Sequence, residues 1–172
     1  MTPAPFGFEA LADGHDRAAF HCGDSALDRY FQTQVTQDIR RRITNCFVVV
    51  ETATGQVAAY YTLSAASIPL VDLPPDEARR LPRYPTLPAV RIGRLAVDQR
   101  FQRRGLGELM LMNAVHRTIQ DAAAAFALLV DAKNDQAIAF YQRYGFRPIV
   151  SRLRTLFLPL VTAQKALLQK TQ

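Results

Sequence analysis

The sequence predicts a mixed α/β fold built on one central sheet. Three observations lead to this class. Strand-like and helix-like segments alternate in the order β-α-ββ-β-α-β-α-β, the helix-like segments carry apolar residues at helical spacing, and no repeat, low-complexity tract or flexible linker interrupts the 172 residues. We therefore expect a single domain over residues 1–172, with residues 161–172 as a carboxy-terminal tail.

Each predicted element has a local signal. Strands are predicted from β-rich or alternating runs at residues 6–10, 46–51, 56–68, 89–97, 126–131 and 152–160. Helices are predicted at residues 24–42, 105–122 and 134–144, and in the tail. The helix at residues 105–122 has a core-facing stripe, which consists of Leu111, Ala114, Val115, Ile119 and Ala122.

Helix ends and turns also have clear signals. Asp24 is a good N-cap, and the basic run at residues 40–42 suits the dipole of a helix that ends there. Residues 52–55, Thr-Ala-Thr-Gly, predict a hairpin. Residues 69–88 contain six prolines, which predicts a long surface loop with one helical turn at residues 76–80.

Composition limits the class of protein. The longest apolar run, residues 122–130, is too short to cross a bilayer. The amino terminus has no basic region, and Cys22 and Cys46 have no pairing or metal-ligand spacing. We therefore expect a cytoplasmic protein with reduced thiols and no membrane association.

The charge favours an acidic partner. The net charge is +6, and only three of the 21 basic residues are lysines. The planar fork of arginine suits phosphate groups. A GC-rich genome would also raise the arginine content, and a phosphorylated cofactor would use some of the charge, so nucleic acid is permitted rather than shown.

A glycine-containing turn links the strand at residues 89–97 to the next helix. Its residues are Gln102, Arg103, Arg104, Gly105, Leu106 and Gly107. Glycine lets the backbone approach a ligand, and the unpaired N–H groups of a helix start attract phosphate oxygens, to which Arg103 and Arg104 would add charge-assisted contacts. The pattern is neither a Walker loop nor a dinucleotide fingerprint. An ordinary strand-to-helix turn is the alternative.

A second pattern follows one strand later. It reads Asn134-x-x-Ala137-x-x-Phe140-Tyr141-x-x-x-Gly145-Phe146. Together the two segments resemble the GCN5-related N-acetyltransferase (GNAT) family, whose motifs are Gln/Arg-x-x-Gly-x-Gly/Ala and Asn-x-x-Ala-x-x-Phe-Tyr-x-x-x-Gly-Phe. Arg103 stands where many members have glycine. Because the contacts there are mostly backbone N–H groups, we expect the loop to tolerate it.

The resemblance implies an acetyl-CoA-dependent N-acetyltransferase with a mixed, mostly antiparallel twisted sheet flanked by helices. The strand would pair with the pantetheine arm, the loop would hold the pyrophosphate, and the second pattern would contact the pantetheine. The implied cofactor-binding residues are Leu95, Ala96, Val97, Gln102, Arg103, Arg104, Gly105, Leu106, Gly107, Asn134 and Phe140.

Tyr141 is the implied catalytic residue, because the family often places there the tyrosine that donates a proton to the leaving thiolate. A phenol with a reference pKa near 10 is protonated at neutral pH, as such a donor requires. The alternative is a packed aromatic ring whose hydroxyl lies at the surface. Tyr144 is a weaker candidate that we expect to pack.

The sequence offers no evident general base or metal site. The three histidines are scattered, at His15, His21 and His116. A Cys–His pair at residues 21–22 is not expected, because adjacent residues rarely share a site geometry. Asp98 and Asp131 stand at strand ends, where either would cap or pair with arginine. The sequence has no His, Cys, Asp and Glu cluster typical of a metal site.

The amino-terminal half resembles a subgroup, the toxin acetyltransferases of bacterial type II toxin–antitoxin pairs. Residues 20–31 match the pattern Phe-x-Cys-Gly-x-x-x-Leu-Asp-x-Trp/Tyr-Leu/Phe, and residues 57–64, 81–85 and 93–98 also fit. The resemblance implies acetylation of the α-amino group of aminoacyl-tRNA, which blocks translation. It also implies a homodimer and a ribbon-helix-helix antitoxin. Residues 42–48 depart from the subgroup, as does Arg103.

Two alternatives remain open at this stage. The first is a GNAT enzyme for a small-molecule amine, a protein N-terminus or a lysine, although the chain lacks the acidic cluster that a cationic amine would favour. The second is a catalytically silent module that binds RNA or a partner protein. For a tRNA surface, the candidate residues are Arg40, Arg41, Arg42, Arg79, Arg80 and Arg83. A solvated basic face is the alternative for each.

Overall fold

The computed structural model describes residues 3–170 of the chain. The strands are β1 Phe6–Ala10, β2 Asn45–Glu51, β3 Val57–Pro69, β4 Thr86–Val97, β5 Ala127–Asp131, β6 Arg147–Pro148 and β7 Thr155–Pro159. The helices are α1 Ser25–Arg29, α2 Val35–Arg40, α3 Pro75–Ala78, α4 Leu106–Gln120, α5 Asp135–Arg143 and α6 Leu160–Lys170. A π-helical turn, Tyr30–Gln34, joins α1 to α2, and Leu70–Asp72 and Gln99–Phe101 are single 3₁₀ turns.

The seven strands form one mixed sheet in the order β1-β2-β3-β4-β5-β7-β6. β4 and β5 run parallel, with Ala89 opposite Ala127 and Ile92 opposite Val130. β1 with β2, β2 with β3, β5 with β7 and β6 with β7 pair in antiparallel directions. The expected fold class, a mixed sheet flanked by helices, is confirmed.

The order of elements agrees with the prediction, while several boundaries differ. β7 begins at Thr155 rather than at residue 152, and the two-residue strand β6 was not predicted because it is too short to show a pattern. β3 and β4 both extend into the proline-rich segment, which shortens the predicted loop at residues 69–88. α6 confirms a helical tail as far as Lys170, and residues 171–172 lie outside the described part.

The helix ends follow ordinary capping chemistry. Oδ1 of Asp24 accepts hydrogen bonds from the backbone N–H groups of Ala26 (3.0 Å) and Leu27 (3.3 Å), which confirms the predicted N-cap. Gly145 follows α5 with φ at +94°, the left-handed conformation expected of a C′ glycine. Gly55 closes the hairpin between β2 and β3 with φ at +74°.

The described residues divide into two compact units. The first contains the chain up to Ser64 together with Gly93–Asn113, and the second contains Ala65–Ile92 and the chain from Ala114 onward. The first unit has an aromatic core in which Phe31 stacks on Tyr60 with ring centres 4.2 Å apart. The core residues are Phe20, Tyr30, Phe31, Val35, Cys46, Val48, Val57, Tyr60 and Ala96.

The second unit has its own apolar core. Its buried members are Ile68, Leu73, Leu87, Ala89, Ala127, Leu129, Ile149 and Phe157.

On α4, Leu111, Ala114 and Val115 are buried as predicted, and Ile119 is half-buried. Ala122 is exposed, because the helix ends at Gln120. Among the described residues, no helix is long and apolar enough to cross a membrane.

Candidate active site

The predicted pantetheine strand is the end of β4, in the first unit. Ala96 is buried in the aromatic core, while Leu95 and Val97 are half-buried. Gly93 leaves little room beside this strand, since a Cβ there would lie 3.1 Å from Oγ1 of Thr62. The same Oγ1 accepts a hydrogen bond from the backbone N–H of Arg94 at 3.0 Å. Thr62 therefore fixes the backbone immediately before the three candidate residues.

Asp98 fixes the point where β4 ends. Its side chain is only 1% exposed and accepts hydrogen bonds from the backbone N–H of His21 (3.0 Å) and from the backbone N–H and Nε of Arg100 (2.8 and 2.9 Å). Burial on its own would raise the pKa of Asp98. The hydrogen bonds from Arg100 and His21 outweigh burial and hold that pKa below its usual value. Asp98 is thus ionised and anchors the end of β4. This agrees with the expectation that it would cap or pair with arginine.

Gln102 ties the candidate pyrophosphate loop to the amino-terminal segment. Its Nε2 donates hydrogen bonds of 3.0 Å to the backbone oxygens of both Cys22 and Val97. The backbone N–H of Gln99 donates to the oxygen of His21 at 2.8 Å. The side chain of Gln102 therefore has a structural task in the loop. The sequence reasoning missed this coupling, although the two motifs that it joins were both recognised.

The loop has two residues in the left-handed backbone region. φ is +67° at Arg103 and +77° at Gly105. This conformation explains why glycine suits position 103, because a side chain at a residue with positive φ crowds its own backbone. The space beside Gly105 is open, since no heavy atom lies within 4 Å of the position that a Cβ would take. α4 begins directly afterwards at Leu106, so its first N–H groups are free of helical partners.

Arg104 faces back toward the first unit's own strands. Its NH1 lies 3.7 Å from Oε2 of Glu51, and its Cζ lies 5.4 Å from the centre of the Phe101 ring. The side chain is about half exposed, so the ion pair is a weak surface contact. Arg103 is exposed. Both arginines can therefore turn toward an anion at the loop at small cost.

Arg94 and Tyr30 form a stacked pair in the same unit. Cζ of Arg94 lies 3.4 Å from the centre of the Tyr30 ring. The Tyr30 hydroxyl donates a 2.8 Å hydrogen bond to Oδ2 of Asp38, and Nε2 of Gln34 donates to Oδ1 at 3.2 Å. Hydrogen bonds from Tyr30 and Gln34, with the charges of Arg94 and Arg41, lower the pKa of Asp38. No local pattern in the sequence indicates this cluster.

The second unit holds the other predicted residues. Asn134 is the N-cap of α5, and its Oδ1 accepts a hydrogen bond from the backbone N–H of Ala137 at 2.9 Å. This N-cap bond explains why asparagine suits the start of α5. It uses the oxygen only, so the side-chain NH₂ group can serve as a donor to a ligand. Phe140 is half-buried, and its ring centre lies 5.2 Å from that of Tyr141.

Tyr141 has a buried ring and an accessible hydroxyl. The residue is 8% exposed, and its ring packs edge-on against Phe146 at 5.4 Å. Its hydroxyl makes no hydrogen bond to the described residues, and no fully buried side-chain nitrogen or oxygen in this part of the chain lacks a partner. The hydroxyl oxygen is therefore not fully buried. Burial of the ring raises the pKa of Tyr141 to about 12.

The other candidate groups are structural or exposed. Burial, with a hydrogen bond to Asp28, raises the pKa of Cys22 to about 11, so this thiol is not an activated nucleophile. His116 is exposed, as expected. Asp131 pairs with Arg91 and accepts a 2.7 Å hydrogen bond from Thr155. Within residues 3–170, no group of three His, Cys, Asp or Glu side chains is able to hold a metal ion.

The basic residues proposed for a tRNA surface are all exposed. One group follows α2 in the first unit, at Arg40, Arg41 and Arg42. The other follows α3 in the second unit, at Arg79, Arg80 and Arg83. Arg79 donates a 3.3 Å hydrogen bond to the backbone oxygen of Pro75 on its own helix. Exposure is necessary for contact with a polyanion, and it is equally compatible with a solvated face.

Comparison with known proteins decides the family. The sequence model of the acetyltransferase (GNAT) domain matches residues 78–167. The chain belongs to the GNAT family. Among GNAT relatives, a probable toxin TacT of Sinorhizobium fredii is 30% identical over 157 residues, which cover 86% of this chain and 87% of that protein. A tRNA-acetylating toxin of Mycobacterium tuberculosis is 33% identical over 138 residues, which cover 79% and 81% of the two chains.

Solved structures of GNAT toxins have the same fold. AtaT complexed with acetyl-methionyl-tRNAfMet is 28% identical, with a TM-score of 0.86 and coverage of 94% of this chain and 99% of that chain. A tyrosine-to-phenylalanine mutant of AtaT, bound to acetyl-CoA and to the C-terminus of the antitoxin AtaR, is 27% identical. Its TM-score is 0.74, with coverage of 95% and 97%. The resemblance to GNAT toxins is thus confirmed.

Proposed function

We propose that this GNAT enzyme transfers the acetyl group of acetyl-CoA to the α-amino group of aminoacyl-tRNA. One observation carries the proposal: the likeness to AtaT bound to acetyl-methionyl-tRNAfMet extends over 94% of this chain. The tRNA-acetylating relative supports the same acceptor class. Acetylation removes the amine that peptide-bond formation requires, so the enzyme is a translation-blocking toxin.

For acetyl-CoA, the first unit supplies the phosphate end of the site. The open space at Gly105 and the free N–H groups at the start of α4 suit the pyrophosphate. Gly107, on the first turn of α4, adds no side chain at its own position. The backbone of residues 95–97 would pair with the pantetheine arm. For the second unit, the family motif alone supports a pantetheine contact by Asn134 and Phe140. The mutant AtaT bound to acetyl-CoA supports this cosubstrate.

For catalysis, the accessible hydroxyl of Tyr141 has the chemistry that a departing thiolate needs. The α-amino nitrogen attacks the thioester carbon and forms the C–N bond, and the C–S bond then breaks. The amine releases its proton to solvent, and the sulfur leaves as a thiolate that afterwards takes up a proton from solvent. Because the pKa of Tyr141 is about 12 and that of an ordinary thiol is about 8.5, the phenol keeps its proton and stabilises the thiolate by donating a hydrogen bond.

This chemistry needs no strong general base. An α-amino group has a reference pKa of about 8, so a substantial fraction is neutral and nucleophilic at physiological pH. Near β4 in the described part of the chain, His21 is exposed and Asp98 is held in structural hydrogen bonds. Positioning the amine beside the thioester is therefore the main task of the site.

Further properties belong to the same proposal. The substrate is cytoplasmic, and we place the enzyme there as a single-domain protein that forms a homodimer. The AtaT structure with the C-terminus of AtaR supports neutralisation by an antitoxin. We propose that this antitoxin is of the ribbon-helix-helix type.

The test is transfer of labelled acetyl from acetyl-CoA to total charged tRNA, with Tyr141→Phe as the control. We expect label in the tRNA fraction with the wild-type chain and a large loss with the variant. Binding of acetyl-CoA without label in tRNA would contradict the acceptor and direct the search to small amines and protein N-termini. Absence of any acetyl transfer, despite acetyl-CoA binding, would support a silent binding module.

A further inference from the structure

The guanidinium of Arg94 is held in one orientation. Its plane stacks on Tyr30 at 3.4 Å, and the 2.8 Å hydrogen bond from the Tyr30 hydroxyl to Asp38 fixes the far end of that ring. The backbone of Arg94 is fixed separately through Thr62. An arginine with this much support loses little conformational freedom when it binds a ligand.

The hydrogen-bond donors of this guanidinium are unused. Among the described residues, Arg94 makes no side-chain hydrogen bond and no ion pair, although it is half-buried. Stacking covers one face of the group and leaves the in-plane N–H donors at its edge. A planar fork of this kind matches the oxygens of a phosphate or carboxylate. A half-buried arginine with no ion pair and no side-chain hydrogen bond to the described residues is suited to an anionic ligand.

The charge around Arg94 also favours an anion. Asp38 is the carboxylate in the cluster, and its two oxygens already accept hydrogen bonds from Tyr30 and Gln34. The charges of Arg94 and Arg41 both act on Asp38. The cluster therefore keeps an excess of positive charge where α2 ends in the basic run of residues 40–42.

The position of Arg94 along β4 determines which part of the reaction it would serve. The candidate pyrophosphate loop follows the carboxyl end of β4, and the candidate pantetheine strand is residues 95–97. A cofactor with its pyrophosphate at the loop and its pantetheine arm along residues 95–97 would have its thioester end nearer to Arg94 than its phosphate end. Arg94 is thus at the acceptor end of the cofactor path rather than at the phosphate end.

We propose that Arg94 binds a phosphodiester oxygen in the single-stranded 3′ end of the acceptor and so sets the α-amino group against the thioester. This inference rests on the proposed function, since the phosphodiester belongs to the tRNA acceptor. Tyr30 and Asp38 are positioning residues, because they hold the guanidinium and do not contact the substrate.

The test uses three acceptors that carry the same aminoacyl group: charged tRNA, an aminoacylated trinucleotide of the 3′ end, and an aminoacyl-adenosine without a phosphodiester. Arg94→Gln is expected to raise KM about 10- to 100-fold for the first two, the range for loss of a hydrogen bond to a charged group. KM for aminoacyl-adenosine should stay unchanged. Arg94→Lys should lose less, and Tyr30→Phe, which keeps the ring, least.

Arg29→Gln is the matched control, because it removes one exposed positive charge from α1 and should leave KM for the two short acceptors unchanged. Calorimetric affinity for acetyl-CoA should be equal in all variants, and if Arg94→Gln does not fold, Arg94→Lys supplies the comparison. Equal losses on all three acceptors, or none, would overturn the role of Arg94 while the proposed function stands. If the wild-type chain acetylates no charged tRNA, the proposed function and this inference are both wrong.

Discussion

The backbone N–H of His21 lies 3.0 Å from Oδ2 of Asp98. This hydrogen bond joins the amino-terminal segment to the end of β4, and Gln102 repeats the connection through the oxygen of Cys22. The candidate pyrophosphate loop is therefore supported by His21 and Cys22. These residues lie 77 and 80 positions before their partners, Asp98 and Gln102.

Replacing Asp98 by Asn should destabilise the fold. The variant keeps one acceptor oxygen but turns an NH₂ group toward the donors of Arg100 and His21. We expect a loss of about 1–3 kcal/mol in the free energy of unfolding, typical of a buried hydrogen bond to a charged group. Because the folded pKa of Asp98 is lowered, its contribution is present above the unfolded pKa near 4 and disappears as pH falls through the folded pKa. Urea unfolding at pH 7 and below pH 4 measures both effects. An equal stability of the two proteins at pH 7 would exclude Asp98 as an anchor.

Arg103 should carry backbone strain that glycine would relieve. Its φ of +67° costs an ordinary residue about 1–2 kcal/mol, and part of the gain on substitution is lost to the flexibility of glycine in the unfolded chain. Arg103→Gly should therefore be more stable than Arg103→Ala, which has lost the same charge and keeps the strain. Thermal unfolding of the two variants makes the comparison. A more stable alanine variant would show that the loop is not strained at this position.

Gly105→Glu should weaken acetyl-CoA binding. The substitution fills the open space beside the loop and places a negative charge near the pyrophosphate. Gly105→Gln is the control, since it has nearly the same volume and the same strain at φ +77° without the charge. Calorimetric titration should give the weakest binding for the glutamate variant, and its deficit relative to Gln should shrink as salt is added. Unchanged affinity in both variants would mean that the pyrophosphate binds elsewhere.

Tyr141→Phe should lower kcat by about 10²- to 10³-fold, the usual range for loss of one hydrogen-bond donor to a developing anion, with acetyl-CoA affinity unchanged. Because the pKa of Tyr141 is about 12, the phenol stays protonated across the working range of the enzyme. The rate should therefore rise with pH as the acceptor amine loses its proton, without a fall between pH 8 and 10 that depends on Tyr141. A pH–rate profile of both proteins checks this. A descending limb in that interval, seen with tyrosine and absent with phenylalanine, would contradict the raised pKa.

Much of the fold was predictable because its signals are local. Asp24 caps its helix through bonds to residues two and three positions away, and Gly145 ends α5 with the expected backbone conformation. The π-helical turn at Tyr30–Gln34 was not predictable, since apolar spacing alone does not distinguish it from a regular helix. It occurs where Tyr30 and Phe31 both enter the core.

The sequence motifs of the candidate site were predictable, but the contacts that hold those residues in place were not. Glycine at residue 105 and asparagine at residue 134 have roles that short spacing reveals. The bonds from Gln102 to Cys22, and the stack of Arg94 on Tyr30, join residues that are far apart in the chain. Such pairs leave no periodic signal in one sequence, because only the folded sheet brings them together.

The support of the loop by His21 and Cys22 has a consequence for where the chain can be truncated. The segment that matches the GNAT domain model begins at residue 78, yet His21 and Cys22, which bond to Asp98 and Gln102, precede that residue. A fragment chosen by the match alone would keep both GNAT motifs and lose His21 and Cys22, the two residues that anchor the start of the loop. The supports of the loop therefore begin well before the segment that the family model recognises.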